Sequence, residues 1–401
     1  MGLVCRLSEA RLPLQRGLQS KHAGEARVGN SAGRECSYPS RSRLLNAVAG
    51  PLALRQGFDV NAQPKHAYSP DFSRCPVRPQ AGAGFAEWGP MKSAVANWRP
   101  KVHTRRSKDI APIHKVNEEA QLGQFIPLHY HGQMLANEQR MLPFQQAIER
   151  LVPVNANVVE LGGGTGVLSY FASKRARKVT MVEKLPHVAA AARHLLHANG
   201  VSDKVTVIEA DARMYVPDEP ADVVICEMLH VALVREKQIE TLQHFKAQHE
   251  AKFGLRIPLI IPEASILAVQ AIFQPYDFHG YYAPVPLFFE AGAMSPTVEM
   301  GPPLVYGTID YIQELPESFG VDHVLNIDRT GVVNALRFIT KVPVGIFPEE
   351  LLSVDWYMPY MSLPLASALE VEAGSEVRVT FQYDAGASIE SLQSSIQVTQ
   401  A

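Results

Sequence analysis

From residue 157 onward the chain alternates between two spacings of apolar residues. Short continuous runs, "NVVELG", "KVTMVEK", "KVTVIEAD" and "ADVVICEM", have the length and β-branched content of buried strands. Between them, "GVLSYFASK" and "LPHVAAAARHLLHANG" read as helices, the second ending at Gly200. Buried strands separated by helices imply a parallel sheet covered on both faces. Upstream, "MLANEQRMLPFQQAIERLV" places Met134, Leu135, Met141, Leu142, Phe144, Ile148 and Leu151 at amphipathic-helix spacing, with Pro143 marking a break or a new first turn. Beyond about residue 255 the helical signal fades. "LIIPEASILAVQAIF", "LVYGTIDYI", "NALRFITKVPV", "ALEVEAGSEVRVTFQYD" and "SSIQVTQ" are strand-like, with Gly and Pro punctuation. The pattern predicts an α/β fold in two parts, a Rossmann-like domain over 112–258 and an all-β, sandwich- or barrel-like domain over 259–401.

Composition sets residues 1–111 apart. They lack sustained periodicity, and "RECSYPSRSR" and "RCPVRPQAGAG" read as a disordered basic extension, with little apolar surface to offset ordering entropy. Residues 1–110 carry 18 Lys/Arg against 7 Asp/Glu and the remainder 20 against 33, a division hidden by the net charge of −2. Arg6, Arg11, Arg16, Arg27 and Arg34 in an acid-poor start resemble an organelle transit peptide; a non-essential tail, or a later start at Met91, are the alternatives. A basic tail can touch nucleic acid, yet the sequence has no recognisable nucleic-acid module. No apolar run approaches the ~18–20 residues of a membrane-spanning helix. Cys5, Cys36 and Cys75 lie in the extension without C-x-x-C spacing, and Cys226 is alone in the body. This usage points to a reducing compartment, so the expected location is cytoplasmic, or organellar if the arginine-rich start is a transit peptide. The histidines form no metal set, and none is expected.

"VVELGGGTG" sets Glu160, Gly162, Gly164 and Gly166 at alternate positions between a strand and a helix. Glycine lets a ligand approach the backbone closely, and the first strand-to-helix turn is where doubly wound folds bind nucleotides. The dinucleotide fingerprint needs a glycine where Val167 stands. Glu183 ends the next strand, 17 residues beyond Gly166, where an acid can accept both hydroxyls of a ribose; a solvated strand-end glutamate is the alternative. Asp211 ends the third strand, either facing an adenine or capping the next turn. The E-x-G-x-G-x-G loop resembles the first motif of class I S-adenosylmethionine-dependent methyltransferases, which implies S-adenosylmethionine as cofactor.

Glu227 ends the fourth strand on the same sheet edge, and Glu236 follows nine residues later in "CEMLHVALVRE". Two neighbouring carboxylates stay ionised most easily around a cation, and the planar fork of a guanidinium suits them. Glu236 as a helix N-terminal acid and Glu227 bound to backbone amides are the alternatives. The segment resembles the double-glutamate loop of protein arginine methyltransferases. That resemblance runs in order across roughly 125–401 and includes "HGQMLANEQRMLPFQQAI", "LIIPEASILAV", "NALRFITKVPV" and "PLASALEVEAGSEVRVTFQYD". It implies a β-barrel second domain, Met134 against the cofactor, Arg140 on its carboxylate, and Glu227 and Glu236 as catalytic residues gripping a substrate guanidinium. His131 and Trp356 would be substrate-side or cavity-lining groups.

The chain departs from the family pattern in several places. "QLGQFIP" keeps only Phe125 of an aromatic motif, and "SVDWYMP" keeps Trp356 but has Asp355 where the family has His. Met228 follows Glu227 directly, where Trp is common. "QPYDFHGYYAPVPLFFEAGA" resembles a shortened dimerisation arm, which implies a homodimer. His129 and His230 are nearby; His230 could accept a proton, but a lone loop histidine is more often solvated. The leading expectation is arginine N-methylation of a protein or peptide. The alternatives are methylation of a small molecule or RNA, and a non-catalytic binding or assembly protein on the same fold.

Overall fold

The computed structural model describes residues 41–49, 126, 128–254, 257–293 and 296–401. The expectations for Arg6, Arg11, Arg16, Arg27, Arg34, Cys5, Cys36, Cys75, Met91 and Phe125 fall outside the described residues. One stretch of the expected disordered extension is helical instead: α1, Arg41–Val48. Eight residues are too few to hold a helix alone; tertiary contact supplies the rest. Leu44 and Leu45 pack on Ala264 and Ile346, and Arg41 pairs with Glu263 at 2.9 Å and with Asp310 at 3.1 Å.

The amphipathic segment forms two helices, α2 (Leu128–Ala136) and α3 (Glu138–Leu151). The break is at Asn137, not at Pro143. Asn137 caps α3 by accepting the Arg140 N–H on its side-chain oxygen at 3.1 Å, while Pro143 is absorbed inside α3. Phe144, Ala147 and Ile148 are buried, whereas Leu135 and Leu142 face outward.

The predicted strands form one parallel sheet: β1 (Asn157–Leu161), β2 (Lys178–Glu183), β3 (Val205–Glu209), β4 (Val223–Cys226) and β5 (Leu259–Ile261), in the order β3-β2-β1-β4-β5. β1, β2 and β4 are buried along almost their whole length, as strands covered on both faces must be. Between strands run α4 (Val167–Ser173), α5 (Pro186–Ala198) and α6 (Gln238–Phe253). The sequence pattern does not single out α6, because its buried face mixes Gln238, Thr241 and His249 with Ile239, Leu242 and Phe245. The strand order reverses between β1 and β4, which opens a crevice at their carboxyl ends. The parallel sheet reaches Ile261, past residue 258, because β5 pairs with β4.

The rest is antiparallel. β6 (Ala264–Phe273) is followed by the hairpin β7 (Asp277–Phe278) and β8 (Tyr281–Tyr282), then β9 (Leu287–Phe289), β10 (Val298–Glu299), β11 (Leu304–Asp310) and β12 (Ser318–Asn326). The long β13 (Gly331–Phe347) leads to β14 (Leu352–Tyr357), β15 (Tyr360–Val371), β16 (Glu376–Asp384), the short helix α7 (Ile389–Ser395) and β17 (Gln397–Gln400). Seven strands gather around β6, β13 and β15, and three others form β12-β16-β17. One apolar core runs from Phe144 and Val159 through Leu233 to Phe338 and Phe381, joining the parallel and antiparallel regions. Among the described residues no helix is long and apolar enough to cross a membrane.

Candidate functional site

The carboxyl ends of β1, β2 and β4 open into a cavity of about 970 Å³, large for a small-molecule site. Its floor is the glycine loop. Gly164 has φ +56°, and a Cβ there would come within 2.7 Å of the His131 ring, so only glycine lets the loop and α2 approach this closely. Gly162 and Gly164 border the cavity. Gly166 does not: a Cβ on it would meet Leu196 and Met181, so this glycine serves packing behind the loop. The expectation for Gly166 is corrected accordingly, since alternation in a string does not say which way a Cβ points.

Glu183, buried at the end of β2, accepts the Gly164 N–H at 2.9 Å and the Leu185 N–H at 2.8 Å, and still borders the cavity. Glu160 turns its bonds the other way. Its carboxyl accepts the Ser169 N–H at 3.0 Å and the Ser169 hydroxyl, tying α4 beneath the loop. Burial pushes its pKa up to about 8. Asp211 also borders the cavity, but it caps the turn after β3 and binds Arg213 at 2.7 Å and Lys184 at 3.1 Å. The Arg213 bonds hold its carboxyl well below the usual range.

On the side of α2 and α3, His131, Met134 and Arg140 face the same cavity. Burial lowers the His131 pKa, partly opposed by the charge of Glu183. The Arg140 guanidinium pairs with Glu227 and lies 5.8 Å from the rings of both Phe144 and Trp356. Phe144 and Trp356 meet edge to face. Asp355, next to Trp356, points elsewhere and pairs with buried Lys341 at 2.9 Å.

Glu227 and Glu236 both line this cavity, the eight-residue segment between them folded back. The fold-back uses three left-handed non-glycine residues, Ala232 at φ +59°, Leu233 at +55° and Arg235 at +66°. Each such residue costs on the order of 1–3 kcal/mol. Strain of this size persists only when neighbours over-determine the conformation. Val231 to Val234 are buried in the core. Thr340 Oγ1 accepts the Ala232 N–H at 2.8 Å, and the Tyr383 hydroxyl donates to the Ala232 carbonyl at 2.8 Å. Gly386 N–H donates to Leu233 at 2.8 Å, and Arg235 N–H to Ala387 at 2.7 Å.

A further support is Gln238, fully buried at the start of α6. Its amide donates to the Cys226 carbonyl at 2.8 Å and accepts the Met228 N–H at 2.9 Å, gripping the backbone on both sides of Glu227. Burial, and next the charge of Glu227, push the Glu236 carboxyl well above its ordinary range. His230, edge-on to Phe288, is pushed down to about 4 by burial and stays neutral at physiological pH. Sequence reasoning missed Gln238, Thr340, Tyr383 and Arg235. The first three act through contacts that no local pattern encodes, and Arg235 is hidden beside a glutamate that draws the eye. Among the described residues no group of three or more His, Cys, Asp or Glu is placed to hold a metal ion.

The donor set fits S-adenosylmethionine: a glycine cradle for its amino-acid end, the Glu183 carboxylate for vicinal hydroxyls and half-buried apolar groups such as Met134 between them. Comparison with known proteins agrees. A methyltransferase-domain family matches residues 158–248. An uncharacterized protein of Methanothermobacter thermautotrophicus is 30% identical over 271 residues, covering 67% of this chain and 97% of that protein. An arginine N(omega)-methyltransferase of Streptomyces achromogenes subsp. streptozoticus is 29% identical over 134 residues, 32% of this chain and 37% of its own length. The match thus spans little more than a third of that enzyme. Among solved structures, the Trypanosoma brucei PRMT1 enzyme–prozyme complex with AdoHcy superimposes with a TM-score of 0.52 at 21% identity, over 64% of this chain and 88% of that one. At that identity the likeness concerns the fold.

Proposed function

We propose that this chain, which belongs to the class I S-adenosylmethionine-dependent methyltransferases and has the fold of the protein arginine methyltransferases, methylates a guanidinium nitrogen of arginine. Its cofactor is S-adenosylmethionine, which when bound supplies an electrophilic methyl group. Gly162 and Gly164 would cradle its amino-acid end, Glu183 would take its ribose hydroxyls, and His131, Met134 and Asp211 would border it. Arg140 would serve its carboxylate while remaining beside Glu227.

Glu227 and Glu236 would hold the acceptor guanidinium by paired, charge-assisted hydrogen bonds and leave one terminal nitrogen free of them. Their negative field keeps electron density on that nitrogen, so acceleration comes from positioning and electrostatics. The observation that carries this reading is the state of the two carboxylates. Glu227 already engages one guanidinium, that of Arg140, and Glu236 is held above its ordinary pKa by burial and by Glu227. A second cation between them relieves that repulsion.

The test is methyl transfer from labelled S-adenosylmethionine to arginine acceptors, proteins, peptides and free arginine together. Glu227→Gln is expected to lower transfer by about 100-fold or more while S-adenosylhomocysteine still binds. No transfer to any arginine acceptor, despite tight cofactor binding, would sink the reading. A small-molecule acceptor in place of a polypeptide is favoured by Asp355: the residue standing where the resembled family has its barrel-loop His is spent on Lys341 instead.

A further inference from the structure

The cations around the cavity are nearly all committed. Arg140 is paired with Glu227, Arg213 with Asp211 and Glu240, Lys184 with Asp211, and Lys237 donates to the Gly386 carbonyl. Arg235 is different. It borders the same cavity and is half-buried, yet among the described residues no ion pair or side-chain hydrogen bond holds its guanidinium. Its backbone, by contrast, is fixed: the left-handed φ of +66° is locked by the 2.7 Å bond from its N–H to Ala387. A strained backbone that presents an unpaired cation in a cavity is a feature to be explained by function.

The surroundings specify the ligand. The charge of Arg235 is felt at both Glu236 and His230, and Phe288, edge-on to His230, lines the same cavity. His230 is neutral there and cannot take an anion's charge. The wall therefore presents two carboxylates, an apolar strip of Phe288, Met358 and Trp356, and one free guanidinium. Its complement is a molecule with a cation at one end, an anion at the other and a short aliphatic chain between.

We infer that Arg235 binds a carboxylate of the methyl acceptor, and that the acceptor is a free guanidino carboxylic acid, with arginine itself the simplest, rather than an arginine within a polypeptide. The inference rests on the guanidinium reading of Glu227 and Glu236. An arginine inside a chain has its carboxyl tied up as an amide and would leave Arg235 without its partner. A free amino acid offers a planar carboxylate to a planar fork, the geometry in which arginine binds best.

Calorimetry on the full chain saturated with S-adenosylhomocysteine separates the possibilities, using L-arginine, agmatine (the same side chain without the carboxylate) and an acetylated, amidated arginine tripeptide. The expected result is that L-arginine binds about 10- to 100-fold more tightly than agmatine or the tripeptide, the size of one charge-assisted contact. In Arg235→Met that preference falls to about one while agmatine and S-adenosylhomocysteine bind as before; Arg235→Lys, which keeps the charge but loses the fork, retains part of it. Equal binding of L-arginine and agmatine, preference for the tripeptide, or discrimination that survives in Arg235→Met would each overturn the proposal and leave the guanidinium reading standing. Binding of none of the three would overturn both.

Discussion

Glu160 stands one residue before the end of β1 and Glu183 ends the neighbouring β2, and the two carboxyls take different partners. Both line the cavity: Glu183 takes two backbone N–H groups, while the more deeply buried Glu160 takes the Ser169 N–H and hydroxyl. The raised pKa of Glu160 has a direct consequence for stability. Its ordinary value is 4.5 and its folded value about 8, so between these pH values the folded protein holds a proton that the unfolded chain releases. The contribution is therefore complete below about pH 4.5 and is lost as pH rises through 8. Glu160→Gln, which cannot ionise, is expected to lose less thermal stability than the parent between pH 6 and pH 9, as read by melting temperature across that range; parallel profiles would count against it. At this scale the sequence was most informative where chemistry sits at a strand end. The shared sheet edge of Glu183, Glu227 and the first glycines was legible because it follows from the strand boundaries. Gly166 was misread, and the engagement of Arg140 by Glu227 was not visible, because the two residues are 87 positions apart.

Gln238 is the first residue of a helix that begins just after Glu236, and its side chain reaches back to the strand end that carries Glu227. One buried amide thus ties together the supports of both glutamates, and its two bonds are each worth about 1–3 kcal/mol when broken on one side only. Gln238→Leu is expected to cut the turnover number about 10-fold or more, since small displacements of positioning groups cost this much or more. The affinity for S-adenosylhomocysteine should be unchanged, because the hydrogen bonds of the Gln238 side chain go to Cys226 and Met228 and not to the glycine loop or Glu183. Steady-state kinetics beside calorimetry checks this, and an equal loss of both would argue for general unfolding of the loop. Element boundaries show the same limit of local information. The parallel strands were readable from continuous apolar runs, yet α6 escaped because its buried positions include Gln238, Thr241 and His249, whose polar groups find partners only in the folded state. Pro143 looked like the break in the amphipathic segment, but the Asn137 cap decided the matter.

At the scale of the whole molecule, the antiparallel region is more than a cover for the cavity. Ala232, in the middle of the strained segment, is held at its N–H by Thr340 on β13 and at its carbonyl by Tyr383 on β16, contacts 108 and 151 residues distant in sequence. Tyr383→Phe keeps the ring and removes one of these holds, along with the 2.8 Å bond to Tyr306. The expected outcome is roughly a 10-fold drop in methyl transfer, a lower melting temperature and unchanged cofactor affinity. Unchanged transfer would show that the segment holds its shape without the strand. Neither residue was legible beforehand, since both lie in runs that read simply as strands, and nothing in a strand pattern announces which hydroxyl reaches across to the loop after β4.

The grip on Ala232 also bears on how such a site can be moved. Copying "CEMLHVALVRE" onto another cofactor-binding scaffold would carry both glutamates but not the two hydroxyls that pay for three left-handed residues. The transplanted segment would relax, and its carboxylates would part. A working graft has to bring Thr340 and Tyr383 with it, so the smallest portable unit of this chemistry is a pairing of two sheets, not a loop.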